Sequence, residues 1–429
     1  MSLAQIIPAV DLLADLKWRG LIAQTTDLES LKAELNKGPI SFYIGFDPTA
    51  PSLHVGNLVV LLVMCRLQMA GHKPFPLVGG ATGLIGDPSG RNEERNLNDT
   101  SIVEQWVERL KGQLAKFLDF NTSANGAVLV NNLDWTKDVS ALSFLRDIGK
   151  HFSVNAMLAK DSVANRLESG GISYTEFSYQ VLQAFDYLEL YRRHQVKLQL
   201  GGSDQWGNIV AGLDLIRRIE GGSAHVITIP LLTKSDGTKF GKTASGAVWL
   251  DPNMTSPYAF YQYWVNSDDA DMENLLKVFS FKSKKEIEEI LIEFRDNPGS
   301  RGAQKSLAFE LTSLVHGEKV AIEIEKVSQA LFGQEELENL DSEALLQAAQ
   351  TIPNVRITSF PLNISDAFVE SGLVKSKSEV KRFIQGGGLY LNNKKIENLD
   401  QSINKEDLIS EKVAILRVGK KNLGALLNI

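Results

Sequence analysis

Five short apolar runs, at residues 42–46, 75–78, 128–130, 197–200 and 226–230, alternate with longer stretches of helical period, and this alternation most limits what residues 1–232 can fold into. Runs this short, bounded by glycine, proline and polar clusters, read as strands. Strands separated by helices pair in parallel, because the chain must cross back over the sheet between them. The expectation is an α/β fold: a Rossmann-like nucleotide-binding domain with a mainly parallel sheet and helices on both faces. Ligands of such sheets collect at the carboxyl ends of the strands, where the glycine-rich loops of this chain fall.

The pattern changes after residue 232. From 256 to 346 it is helical, with apolar residues three or four apart over 284–294, 302–316 and 318–332, and Asn297-Pro298-Gly299 breaks two of these segments. Residues 349–360 hold no clear period and read as a linker. A small α+β pattern follows over 361–429: short helices at 364–370 and 378–384, three glycines at 386–388, then a strand at 389–391. The expected division is therefore 1–232, 233–348, 349–360 and 361–429.

Charge is unevenly spread along the 429 residues. The net charge is −7, yet from Arg356 to the end twelve Lys/Arg face eight Asp/Glu, a surplus of four that leaves −11 for the rest. A basic module on an acidic body suits a nucleic-acid contact, and a merely solvated surface is the competing reading. The last segment resembles the S4-like RNA-binding module, with Lys375, Lys377, Lys381, Arg382, Lys394 and Lys395 as its basic edge; a small capping domain is the alternative. The single cysteine, Cys65, lies in the apolar run 58–65, so no intramolecular disulfide can form, as suits a reducing cytoplasm. No basic, apolar leader and no apolar stretch of about 20 residues is apparent, so neither a signal peptide nor a membrane anchor is expected.

Two segments about 185 residues apart carry the strongest chemical signal. His54-Val55-Gly56-Asn57 follows a strand and opens a helix-like stretch, where unpaired backbone N–H groups favour a phosphate. Lys239-Phe240-Gly241-Lys242-Thr243 places two ammonium groups in one loop, suited to charge on a departing pyrophosphate. His54 is either a packed core histidine or, at a helix start, a donor to a phosphate oxygen. The glycine loop 79–90 either lets backbone approach a nucleotide or serves as tight turns. Residues 236–243 are not a Walker A loop, because Asp236 stands where the first glycine belongs. Tyr179, Gln183 and Asp186, spaced i, i+4, i+7, share one helix face, which is either a solvent face or, given the bulky neighbours Phe177, Leu182, Phe185 and Tyr187, a pocket wall. Residues 201–208 supply a further polar loop after a strand.

Taken together, residues 43–50, 79–90, 201–208 and 239–243 make the chain similar to bacterial-type tyrosyl-tRNA synthetases, which are class I aminoacyl-tRNA synthetases. The resemblance implies that His54 and Gly56 belong to the HIGH-type signature, with Asn57 in place of its last histidine, and that Lys239, Gly241, Lys242 and Thr243 form the KMSKS-type loop. It further implies catalytic roles for Thr49, His54, Asn57, Arg91, Arg95, Lys239, Lys242 and Thr243. Tyr43 and Asp186 would meet the phenol hydroxyl of tyrosine, and Asp87, Tyr179 and Gln183 its α-ammonium group. Gly45, Asp47, Gly56, Asp204, Gln205 and Gly241 would line the ATP and adenylate region.

The reaction so implied is tyrosine activation by ATP, followed by transfer to tRNA in translation. ATP would enter as a substrate with Mg²⁺ held mainly by phosphates, with no protein metal site and no tightly bound prosthetic group. The expected partners are L-tyrosine, ATP, tRNA(Tyr) and a second copy in a homodimer, in the cytoplasm and away from membranes. Residues 233–348 would include the anticodon-recognition helices. Two other readings share these residues: a tryptophanyl-tRNA synthetase, which usually lacks the appended module, and an RNA-binding relative that has lost catalysis.

Overall fold

The computed structural model describes residues 12–89, 98–121, 124–238, 240–243, 246–332, 337–419 and 422–428. They form two compact units, one of residues up to 250 together with 270–287, the other of 251–269 together with 288 onward.

The first unit is built on a six-stranded sheet of β1 (Gln24–Thr25), β2 (Ser41–Phe46), β3 (Lys73–Val78), β4 (Val130–Asn131), β5 (Val196–Gly202) and β6 (His225–Ile229), in the order β1-β6-β5-β2-β3-β4. Every pairing is parallel except that of β1 with β6 at the edge. The expected parallel sheet is present, with one antiparallel edge strand that the sequence pattern did not show because it is two residues long. β3 carries two prolines inside a sheet, and the register explains their tolerance. Pro74 accepts from Val128 N, so the side on which it lacks an N–H faces β4, which pairs only at Leu77 and Val78.

Three helices bring side chains to the carboxyl ends of these strands. The Val55–Met69 helix is apolar on nearly every face and buried accordingly. The Tyr174–His194 helix is capped by Ser173 Oγ at its start and ends at Gln195 in left-handed backbone, with Arg192, Arg193 and His194 complementing the dipole in its last turn. The Trp206–Glu220 helix packs along it, and Gly221, at φ +63°, terminates it.

In the second unit the Pro257–Val265, Gly302–His316, Glu318–Phe332 and Ser342–Gln350 helices pack together. The strands that follow are β9 (Asn354–Arg356), β10 (Leu362–Asn363), β11 (Leu389–Leu391), β12 (Lys394–Lys395), β13 (Ser402–Ile403), β14 (Val413–Val418) and β15 (Asn422–Leu427) when numbered after two short strands of the first unit, β7 (Lys242–Thr243) and β8 (Gly246–Ala247). Five of them form a sheet in the order β12-β11-β14-β15-β9. The Ile364–Glu370 and Lys377–Gln385 helices cover it through Phe368, Val380, Leu389, Leu416 and Leu426. The expected helices and first strand of this α+β segment are present.

The linker expected at 349–360 is corrected. The Ser342–Gln350 helix runs into it and packs on β14 and β15, and β9 pairs in parallel with β15 from Asn354 to Arg356. These residues lacked a period because one turn and a three-residue strand are too short to display one. The helical and α+β segments accordingly form one unit. Residues 270–287, expected among the helices of the second part, belong to the first unit. No helix among the described residues is long and apolar enough to cross a membrane.

Candidate active site

At the carboxyl ends of β2, β3 and β4 the structure draws together side chains far apart in sequence. Tyr179 and Asp186 are 5% and 3% exposed, so the face they share on the Tyr174–His194 helix is buried and is not a solvent face. Gln183, between them, has its Oε1 buried without a hydrogen-bond partner among the described residues. Asn132 Nδ2 donates to Asp186 Oδ2 at 2.9 Å, and Trp135 Nε1 donates to Asp186 Oδ1 at 2.9 Å. Burial pushes the Asp186 carboxyl up to about 7 against the pull of these two donors. Burial also raises the phenol of Tyr43, 1% exposed on β2, with the Asp186 charge as the next cause. The Tyr43 hydroxyl has no hydrogen-bond partner among the described residues. A buried orphan hydroxyl beside a buried carboxyl is costly unless a ligand completes the set.

A continuous chain of hydrogen bonds leads away from Asp186. Asn132 Nδ2 also donates to Thr82 Oγ1 (3.0 Å), and Asn132 Oδ1 accepts from Ala81 N (2.7 Å). Thr82 Oγ1 donates to Asp47 Oδ1 at 2.6 Å, and the Tyr179 hydroxyl donates to Asp47 Oδ2, also at 2.6 Å. Burial raises the Tyr179 phenol, and the Asp47 charge adds to it. The glycine loop is required here sterically. A Cβ at Gly79 would lie 2.0 Å from Asp47 Oδ1, and one at Gly80 would lie 2.3 Å from Asn131 Oδ1.

A second polar group stands at the end of β5. Gln205 Nε2 donates to Asp87 Oδ2 at 2.6 Å, Ser89 N donates to Asp87 Oδ1 at 3.0 Å, and Asn208 Nδ2 reaches Gln205 Oε1 at 3.3 Å. Burial raises the Asp204 carboxyl, and the nearby Asp87 charge raises it further. Asp47, expected with the adenylate residues, accepts from Tyr179, while Asp87, expected at the ammonium group, accepts from Gln205 and its charge also acts on the Tyr179 phenol. Gly45 and Thr49 are exposed, and Thr49 N donates to Asp47 O at 2.9 Å, closing the turn after β2.

His54 caps the Val55–Met69 helix. Its Nδ1 accepts from Asn57 N at 3.3 Å while Asn57 Oδ1 accepts from His54 N at 3.1 Å, a reciprocal capping box. An accepting Nδ1 puts the proton of the neutral ring on Nε2, leaving that atom the donor. Asn57 thus does structural work that its sequence position did not reveal. A Cβ at Gly56 would lie 2.8 Å from the imidazole, so glycine leaves room for the ring.

The loop that starts at Leu231 returns to this helix start. Val55 N donates to Val248 O, Leu250 N donates to Leu53 O, and Trp249 pairs with His54 with their rings 5.9 Å apart. Gly241, at φ +82°, comes so close that a Cβ there would lie 3.3 Å from Gly56 N. The two segments read from the sequence therefore meet in space. Lys242 and Thr243 form β7 against β8, Gly246–Ala247. Arg91, Arg95 and Lys239 lie outside the described residues.

Three site residues escaped the sequence reading: Thr82, Asn132 and Trp135. Thr82 lay within the glycine loop but was not singled out. Asn132 and Trp135 follow a strand of only two residues, and their one signal was a polar residue directly after an apolar run ending at Val130.

Three of the six residues expected as the basic edge of the second unit have acidic partners. Lys377 pairs with Asp366 at 2.5 Å, Lys394 with Glu338 at 2.5 Å and Arg382 with Glu379 at 3.4 Å. Lys375, Lys381 and Lys395 are exposed.

Sequence and fold find their counterparts among known proteins. A family model described as tRNA synthetases class I (W and Y) matches residues 35–333, and one described as the tyrosine–tRNA ligase SYY-like C-terminal domain matches 344–425. A tyrosine–tRNA ligase of Streptomyces coelicolor is 56% identical over 418 residues, covering 97% of this chain and 98% of that protein. One of Mycobacterium bovis is 51% identical over 418 residues, with the same coverage. A C-terminally truncated mitochondrial tyrosyl-tRNA synthetase of Aspergillus nidulans superposes with a TM-score of 0.69 at 32% identity, covering 75% of this chain and 94% of that one. The chain belongs to the class I tRNA synthetases, and within them to the family of the tyrosine–tRNA ligases.

Proposed function

We propose that this chain joins L-tyrosine to ATP, giving tyrosyl-adenylate and pyrophosphate, and then passes the tyrosyl group to the 3′ end of tRNA(Tyr). The observation that carries the substrate is the pair of Tyr43 and Asp186. A phenol hydroxyl entering between them would give Tyr43 its missing partner and give Asp186 a donor besides those of Asn132 and Trp135. Phenylalanine would leave the Tyr43 hydroxyl without a partner and bring Asp186 no further donor, which is the basis for rejecting it. Asp47, hydrogen-bonded to Tyr179, together with Gln183 and Asp87, forms the polar end suited to the α-ammonium group.

The tyrosine carboxylate attacks the α-phosphorus and the bond to pyrophosphate breaks, so no general base is needed. What helps is orientation and the neutralising of charge. His54 Nε2–H and the backbone at the start of the Val55–Met69 helix are placed for ATP phosphates. Thr49, Asn57, Arg91, Arg95, Lys239, Lys242 and Thr243 complete the set by their place in the motifs, and Gly45, Gly56, Gly241, Asp204 and Gln205 border the adenylate. ATP enters with Mg²⁺ on its phosphate oxygens.

The helices of the second unit read the anticodon arm, and the segment from 361 onward grips tRNA through Lys375, Lys377, Lys381, Arg382, Lys394 and Lys395. The enzyme works as a homodimer in the cytoplasm. Supporting the dimer, Leu142, Leu145, Val154, Leu158, Leu167 and Tyr174 expose apolar surface within one stretch of the first unit.

Incubation with labelled tyrosine, ATP and a tRNA(Tyr) transcript tests the reading. Acid-stable label on the tRNA is expected; labelling of a tRNA(Trp) transcript with tryptophan instead would contradict it.

A further inference from the structure

The helix Met272–Phe279 lies beyond both signature segments in sequence, yet it belongs to the first unit and touches the loop between residues 232 and 243 at two places. At its amino end Asp271 Oδ1 accepts from Ser235 N at 2.8 Å. At its carboxyl end the rings of Phe279 and Phe240 lie 5.4 Å apart at 34°. Ser235 and Phe240 bracket a turn that is internally tied, with Lys234 N donating to Thr238 O and Asp236 Oδ1 accepting from both the N–H and the hydroxyl of Thr238.

This helix is itself fixed to the nucleotide-binding half. Arg19, 4% exposed and paired with Asp15 at 2.9 Å, donates to the carbonyls of Lys277 (2.9 Å), Ser280 (2.9 Å) and Lys282 (2.8 Å). They lie at and just beyond the carboxyl end of the helix, where a cation is also favoured by the dipole. Arg66 Nη2 donates to the same Ser280 carbonyl at 2.6 Å, and its guanidinium lies 4.7 Å from the Phe281 ring. Arg66 belongs to the Val55–Met69 helix, whose first residue follows His54. One rigid path thus runs from His54 along that helix to Arg66, through Ser280 to the Met272–Phe279 helix, and from its two ends to Ser235 and Phe240.

We infer that Asp271 and Phe279 are positioning residues for adenylate formation: they hold the 234–243 loop in register with the His54 end of the Val55–Met69 helix, so that the loop's charge meets the phosphates. This rests on the proposed tyrosine activation. Neither residue faces the tyrosine pocket, so losing either should slow activation and weaken ATP use without altering tyrosine affinity.

Two readouts separate this inference from the proposed activity. In hydrogen–deuterium exchange of the full chain without ligand, Asp271→Ala and Phe279→Leu should raise exchange over residues 233–243, while Asp271→Asn, which keeps an acceptor at Oδ1, should stay at the wild-type level. Unchanged exchange in Asp271→Ala would overturn the inference whatever the enzyme's activity. In tyrosine-dependent pyrophosphate exchange, the same two variants should lose on the order of tenfold in kcat/KM for ATP with the equilibrium Kd for tyrosine unchanged, and Asp271→Asn should restore it. An equal loss in tyrosine binding would show a general folding defect and overturn the positioning role. Absence of exchange in the wild type would count against the proposed activity, and the deuterium result would still decide the loop contact.

Discussion

The Tyr179 hydroxyl donates to Asp47 Oδ2 at 2.6 Å across 132 positions of sequence, joining the Tyr174–His194 helix to the turn that follows β2. Asp47 also accepts from Thr82 Oγ1, so one carboxylate ties a strand end, a glycine loop and a helix together.

Tyr179→Phe removes a donor from Asp47 and leaves the ring packing intact. Loss of a hydrogen bond to a charged group costs about 1.5–3 kcal/mol, so tyrosine affinity should fall by roughly 10- to 100-fold while the far-ultraviolet spectrum stays unchanged. Equilibrium dialysis with labelled tyrosine measures it.

The pH dependence of stability should report Asp186. Its carboxyl sits near 7 in the folded chain, above the ordinary value of 3.8, so the fold favours the protonated form. The stability this supplies is complete below about pH 4 and is lost as pH rises through 7. Asp186→Asn does not titrate. Its stability should therefore gain on the wild type between pH 5 and pH 8 by about 3 kcal/mol, at about 1.4 kcal/mol per pKa unit over the two units from pH 5 to 7, on top of a constant offset for whatever the new amide loses against Asn132 or Trp135. Tyrosine activation should be nearly abolished at every pH. Scanning calorimetry at the two pH values checks the first statement and pyrophosphate exchange the second.

Gly79→Ala tests whether the glycine loop is there for close approach. The added methyl would fall 2.0 Å from Asp47 Oδ1 and 2.3 Å from Thr82 Oγ1, so both must shift. The expected result is a folded protein with activation reduced at least tenfold, on the scale at which small misplacements act. Activity equal to wild type would show that Asp47 can move without consequence.

For the basic edge, Lys381→Ala combined with Lys395→Ala should weaken tRNA binding and make it less dependent on salt, because fewer counterions are released. Adenylate formation should not change. This pair is a cleaner probe than deleting 356–429, since that cut would leave β9 without its partner β15 and strip the Ser342–Gln350 helix of its packing against β14 and β15.

Much of this arrangement was legible in the sequence where a periodic signal was long enough. Four of the five apolar runs became strands and the fifth, 128–130, contributes only Val130 to one, while the helices over 284–294, 302–316 and 318–332 appear as Lys284–Asp296, Gly302–His316 and Glu318–Phe332. His54 and the 239–243 segment could be paired as chemistry, but their meeting depends on backbone bonds from Val55 to Val248 and from Leu250 to Leu53 that leave no mark in the sequence. Asn132 and Trp135 were hidden because their strand is two residues long and their partner Asp186 lies more than 50 positions away. The place of the Met272–Phe279 helix was hidden for a related reason: its anchors are two buried arginines, and an arginine reads as surface until its carbonyl partners are seen.

The most direct measurement is tyrosine-dependent exchange of labelled pyrophosphate into ATP without tRNA, with phenylalanine and tryptophan as controls. Exchange with tyrosine alone is the predicted result. Exchange driven by tryptophan, or none with any amino acid, would contradict the assignment of Tyr43 and Asp186 as the recognition of a phenol.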